Sequence, residues 1–306
     1  MKKINLVLFI LLIMIIGHCN VIEAMSSSPR YQIRKHESIA GLEIINNFSA
    51  SQLKTRKKIW VYLPPGYEQS QKKYPVLYMQ QGQNLFGDQE KSWNLNQKMN
   101  KLYHEYKIRG IIIVGIESHN PQREFVAWDY YNQGQYIDNP LGADYIDFVA
   151  VSLKPYIDSN YRTLGNRENT FIAGTDLGGL AALYAYKKYP HVFSKVAAFS
   201  PALWVYEYGY QNFKITKNKD VKIYFDGRKQ ETDNPTWNQV IVHKLENHYQ
   251  LLLDSKYEKQ NLKLVIINNE LQTEKSREER FIPAFLWLIE DRMVDFKKYF
   301  SEAVIY

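Results

Sequence analysis

Phe171–Leu180, FIAGTDLGGL, carries an apolar run into a helix-forming one through Gly-x-acid-x-Gly-Gly. Glycines spaced this way let a strand turn sharply into a helix and leave the middle residue standing clear, where a nucleophile could act. That residue is Asp176. A carboxylate can attack an sp³ carbon without first losing a proton, whereas a hydroxyl in its place would need a base. Clearing the resulting ester would still require a base, and no histidine follows His248.

Length and composition bound what could surround this turn. The 306 residues, 45% apolar, suffice for one substantial core. Lys2 and Lys3, the apolar run Asn5–Gly17 and a small-residue end at Ala24 form the pattern of an export signal over 1–24. The run is shorter than the roughly 20 residues of a membrane span, so no stable anchor is expected after cleavage. Residues 25–36 read as a flexible lead-in and 37–306 as a single domain, secreted or periplasmic. Cys19 is the only cysteine, so the mature chain has no disulfide, thiol nucleophile or cysteine-held metal. The formal charge of +7 falls to +6 when Lys2, Lys3 and Glu23 leave. The basic residues are scattered, which argues against a nucleic-acid surface. His243 and His248 are five apart and off each other's helix face, so no metal site is expected, and no cofactor either.

The elements that must position Asp176 follow in order. Leu42–Phe48 and Lys57–Leu63 read as strands, the second stopped by Pro64-Pro65-Gly66. Tyr74–Met79 is a short strand, Gln80–Asn84 a polar turn, Trp93–Tyr106 a helix and Ile111–Ile116 a strand buried on both faces. Glu117–Leu141 reads as a long loop, Gly142–Ile157 as a helix and Thr170–Ala173 as the strand before the turn. Lys195–Ser200, Val221–Phe225 and Leu262–Ile267 are further strands. Helices are expected at Trp237–Ser255 and Phe281–Phe300. Strands alternating with helices call for a mostly parallel central sheet covered by helices on both faces.

Several segments together resemble the esterase D-like family of α/β-hydrolases, which includes enterochelin and carbohydrate esterases. They are Val61–Tyr67 (VYLPPGY), Pro75–Phe86 (PVLYMQQGQNLF), Ile113–Ile116 with Arg123, Tyr156-Ile-Asp with Tyr161-Arg-Thr, Arg167–Thr170, Gly174–Gly179 and Phe193–Pro201. The match covers roughly residues 40–290 with order and spacing kept. It implies an α/β-hydrolase fold and a triad of serine, histidine and acid.

Carried over position by position, that triad is broken. Asp176 stands where the resemblance places serine. The histidine position falls on Leu271 or Gln272, and the acid on Gln230 or Glu231, of which Glu231 fits better. Backbone N–H groups of Gln83 and Leu177 correspond to an oxyanion hole, and Trp93, Arg123, Trp128 and Trp204 to a ligand-binding rim. Asp176 also has a purely structural reading, as a helix cap worth about 0.5–2 kcal/mol. The aromatic residues have one too, as loop packing.

Three functions are compatible with these residues. The first is a non-catalytic homologue that binds a small ester-like or glycan-like ligand, or a protein partner. The second is a hydrolase with Asp176 as nucleophile and His119, after a buried strand on the active edge of the sheet, as substitute base. The third is a residual carboxylic or carbohydrate esterase working through Ser118 or Ser200.

Overall fold

The computed structural model describes residues 41–86, 92–132, 134–206, 221–268, 274–291, 294–300 and 303–306. The expected export signal and lead-in lie outside them, as do Leu271 and Gln272.

Among the described residues nine strands form one sheet, in the order β1-β2-β4-β3-β7-β8-β9-β10-β11. These are β1 Leu42–Ala50, β2 Thr55–Tyr62, β3 Val76–Gln80, β4 Ile112–Ile116, β7 Thr170–Thr175, β8 Lys195–Phe199, β9 Lys222–Arg228, β10 Leu262–Ile267 and β11 Ala303–Ile305. From β4 through β10 every neighbouring pair is parallel, and the antiparallel pairs sit at the two edges. This is the α/β-hydrolase arrangement that the sequence predicts.

Side chains of a strand alternate between faces, and here both faces are covered. Val76 and Tyr78 of β3 join one core with the elbow helix Leu177–Lys188 and the long helix Pro235–Asp254. Leu77 and Met79 join the other, with the helices Leu95–Tyr106 and Glu274–Leu288. The continuous apolar runs follow from this double burial.

Four segments differ from expectation. Gln80–Asn84, read as a turn, leads into a short helix, Gly82–Phe86. The long loop Glu117–Leu141 contains a one-turn helix, Pro121–Glu124, capped by Asn120, and a hairpin of β5 Tyr130–Asn132 with β6 Gln135–Ile137. The helix after it passes through a π-helical stretch, Phe148–Leu153, before ending at Asn160. The final helix ends at Leu288, not Phe300, and the chain returns so that β11 pairs with β10. Phe296 on this return stacks on Tyr224 at 5.9 Å, adding apolar burial that a straight helix would forgo.

Candidate functional site

Asp176 sits at the bend between β7 and the elbow helix with φ 56° and ψ −123°, a conformation that side chains rarely adopt. The glycines around it allow the tight crossing: a methyl group on Gly174 would collide with the Gly178 carbonyl, and one on Gly179 would press on Pro201. The bend is bolted to β8 and its following loop. The Asp176 N–H donates to the Phe199 carbonyl (2.9 Å), and its own carbonyl accepts from Ala202 (3.1 Å) and Leu180 (3.1 Å). The side chain does not make the capping hydrogen bonds expected of it. It lines a cleft of about 570 Å³ instead.

The cleft floor beyond Asp176 is a polar network assembled from three chain segments. Ser200, itself at φ 41°, receives two acceptors on its N–H: the Asp226 carboxylate (2.9 Å) and the Asp226 carbonyl (3.1 Å). The Ser200 hydroxyl donates to Glu231 Oε1 (2.6 Å) and accepts from Arg280 Nη1 (2.8 Å). The same Nη1 pairs with Asp226 Oδ1 at 2.7 Å, both side chains being fully buried. Tyr224 donates to the other Asp226 oxygen (2.9 Å). Burial raises the Asp226 pKa, and the Arg280 guanidinium opposes that rise.

Glu231 is fixed in a turn after β9, where its Oε1 also accepts from the Arg228 N–H (3.0 Å). Its Oε2 is buried and has no hydrogen-bond partner among the described residues, and Glu231 lines the cleft.

Aromatic side chains make the walls. Trp204 and Trp237 meet edge to face with ring centres 6.3 Å apart, and Trp237 remains 40% exposed. Tyr130 and Tyr131 of the hairpin line the cleft as well, Tyr131 being 60% exposed. The Tyr130 hydroxyl donates to the Gln122 carbonyl (3.0 Å). Its pKa is pushed up to about 12, first by burial and then by the negative charge of Asp176. A more open depression of about 670 Å³ beside the cleft is lined by Lys229, His243 and Glu246 and does not include the elbow.

Of the residues singled out in the sequence, Asp176, Leu177, Ser200, Trp204 and Glu231 line this cleft. Gln83 does not: its amide spans the backbone of Ser118, donating to the carbonyl (2.9 Å) and accepting from the N–H (3.3 Å). Trp93 is core, 2% exposed and edge-on to Phe281. Arg123 secures the hairpin loop through the Asn139 carbonyl (2.9 Å). Trp128 braces the cleft from behind, donating to the carbonyl of Val205 (3.0 Å), a lining residue. His119 points away, with its side chain 55% exposed and its Nε2 3.1 Å from Glu117. His248 is buried against Phe225. No histidine lines the cleft among the described residues.

Tyr130, Tyr131, Trp237 and Arg280 were not assigned to the site from sequence. Trp237 had a usable signal, since it lies in the first turn of the helix that follows Glu231. Among the described residues no group of three acidic, histidine or cysteine side chains is placed to hold a metal ion, and no helix is long and apolar enough to cross a membrane.

A family model described as "Putative esterase" matches residues 50–267. The uncharacterized protein YbbA of Bacillus subtilis (strain 168) is 23% identical over 237 residues, covering 76% of this chain and 92% of YbbA. The endo-1,4-beta-xylanase/feruloyl esterase of Xylanibacter ruminicola is 28% identical over 177 residues, which are 55% of this chain but only 22% of that one. Among solved structures, an IroE-like serine hydrolase from Shewanella oneidensis superposes with TM-score 0.62 at 20% identity, covering 78% of this chain and 76% of its own.

Proposed function

Because the chain belongs to this esterase family, we propose that it has kept the family's cleft as a binding site and lost serine-esterase turnover. The single observation that carries this reading is the cleft lining: a carboxylate on the elbow, a second carboxylate committed to Ser200, and no histidine among the described residues. Ester hydrolysis through a tetrahedral intermediate places negative charge beside the elbow, where it must be stabilised by donors. Asp176 and Glu231 put like charge there instead. A hydroxyl nucleophile also needs a base, and Ser200 has only a carboxylate, which is the weaker acceptor of a serine proton.

Asp176 as a nucleophile toward sp³ carbon has one observation in its favour, the retained bend at φ 56°. Strain of this kind costs about 1–3 kcal/mol and concentrates at functional sites. Among the described residues no histidine lines the cleft to clear the covalent ester, and His119 is turned to Glu117. Presentation of Asp176 to a bound ligand accounts for the same bend. The reading includes export from the cytoplasm, on the strength of the pattern at 1–24.

The test is a thermal-shift screen of phenolic esters and aryl glycosides with the full chain and with Trp204→Ala, each ester being recovered afterwards and measured. Stabilisation by a compound that is recovered intact, and lost in Trp204→Ala, supports the proposal. Saturable consumption of a bound ester contradicts it.

A further inference from the structure

We infer that Lys57 and Glu124 are positioning residues for the cleft: their buried ion pair sets where the wall segment 120–132 meets the sheet. The inference rests on the binding-site reading above and says what holds that same site in shape.

The strand pattern gives the first argument. Residues 57, 59 and 61 share one face of β2, and Ile59 and Val61 are fully buried in the core on that side. Lys57 continues this apolar row with its side chain at zero exposure. An ammonium in such a place is costly unless it is paired. Its Nζ lies 2.9 and 3.0 Å from the two carboxylate oxygens of Glu124, which is buried as well. A matched apolar pair in the same volume would hold a fold as well or better, so stability alone does not account for the ions. What an apolar pair lacks is direction. A carboxylate held through both oxygens fixes its backbone narrowly, whereas one methylene can slide on another.

The second argument is what hangs from Glu124. It closes the one-turn helix Pro121–Glu124, and lining residues stand on both sides of it in the chain: Gln122 before, Tyr130, Tyr131 and Asn132 after. The Tyr130 hydroxyl donates to the Gln122 carbonyl (3.0 Å), which closes this stretch into a unit. Trp128 of the same stretch donates to the Val205 carbonyl (3.0 Å), so the wall that Val205 and Trp204 supply is braced from it too.

The remaining ties show why this pair matters for placement. Glu117, bonded to the Lys58 backbone, sets where the chain leaves the sheet. The Arg123 and Val126 carbonyls accept from Leu141 (2.6 Å) and Gly142 (2.8 Å), which joins the stretch to the helix that follows it. Glu124 joins it to β2.

The experiment is hydrogen exchange by mass spectrometry on the full chain, with a urea midpoint measured for each variant. Lys57→Met combined with Glu124→Leu removes both charges at similar volume. Expected is a midpoint equal to or above that of wild type, with exchange about tenfold or more faster in 120–132. Peptides from β3 and β7 should exchange as in wild type. Glu124→Asp is the second variant, keeping the charge but drawing the carboxylate back by one methylene. It should speed the same segment by about threefold or more and leave β3 and β7 unchanged. If the double variant does not fold, Glu124→Asp alone decides. Unchanged exchange in 120–132 overturns the inference. So does acceleration shared by β3 and β7 with a lowered midpoint, the signature of a pair that only stabilises the fold. No ligand enters the measurement, so a cleft that binds nothing in the thermal-shift screen defeats the binding-site reading and leaves the positioning result standing. Ligand binding alongside unchanged exchange does the reverse.

Discussion

The Ser200 hydroxyl donates to Glu231 Oε1 across 2.6 Å, so the carboxylate at the position that family resemblance gives to the triad acid holds a serine. Arg280 occupies the other side of that hydroxyl at 2.8 Å. Ser200→Ala removes the shared group and leaves Glu231 Oε1 with a single donor in a poorly hydrated place. Urea denaturation should show a loss of about 1–3 kcal/mol.

Arg280 and Asp226 form an ion pair with both side chains at zero exposure. Arg280→Met leaves Asp226 without its compensating charge and Glu231 without the cation behind Ser200. The expected loss is about 3–5 kcal/mol, seen as a large drop in urea midpoint. Replacing both partners, Arg280→Met with Asp226→Leu, should recover part of that loss, since the buried Tyr224 hydroxyl and the Ser200 N–H also lose an acceptor. A double variant as unstable as the single one would show that the pair is not the cause.

The bend at Asp176 holds a side-chain-bearing residue at φ 56°, ψ −123°. Glycine takes that conformation without the Cβ clash, so Asp176→Gly should raise stability by about 1–3 kcal/mol in equilibrium denaturation. It should also weaken ligand binding in the cleft that Asp176 lines. A stability gain together with lost binding would identify the strain as the cost of presenting this carboxylate.

His248 predicts a pH dependence. Burial lowers its pKa to about 4 from the ordinary 6.5, so it stays neutral in the folded chain while the unfolded chain takes up a proton below 6.5. Between these two values the unfolded state binds more protons, and stability therefore falls as pH falls. The contribution is complete above pH 6.5 and, once lost near pH 4, amounts to about 3 kcal/mol at most. Carboxylates titrate in the same range, so the measurement is the difference between wild type and His248→Leu. Denaturation at pH 7 and pH 5 should show a smaller pH effect in the variant.

Much of the frame is legible in the sequence because its physics is local. Val76 to Met79 alternates between two buried faces and reads as an apolar strand. Gly174 and Gly179 announce the crossing because a side chain at either would press on backbone. The cleft is less legible. Ser200, Glu231 and Arg280 are brought together only by the parallel order of β8, β9 and β10, and no spacing along the chain signals that meeting. The hairpin that carries Tyr130 and Tyr131 has strands of three residues, too short for alternation to declare them. Trp93 and Trp128 are as aromatic as Trp204 and Trp237, and composition cannot separate residues that pack from residues that line a wall.

The most direct test of a cleft that binds without ester turnover is a rate assay. The full chain is incubated with aryl esters, epoxides and alkyl halides, and Asp176→Ala is run in parallel. The account predicts, for the folded wild-type chain, product formation indistinguishable from buffer on every substrate. Saturable turnover that disappears in Asp176→Ala would contradict it and make Asp176 a nucleophile, and saturable ester turnover untouched by that substitution would contradict it by exposing a second site.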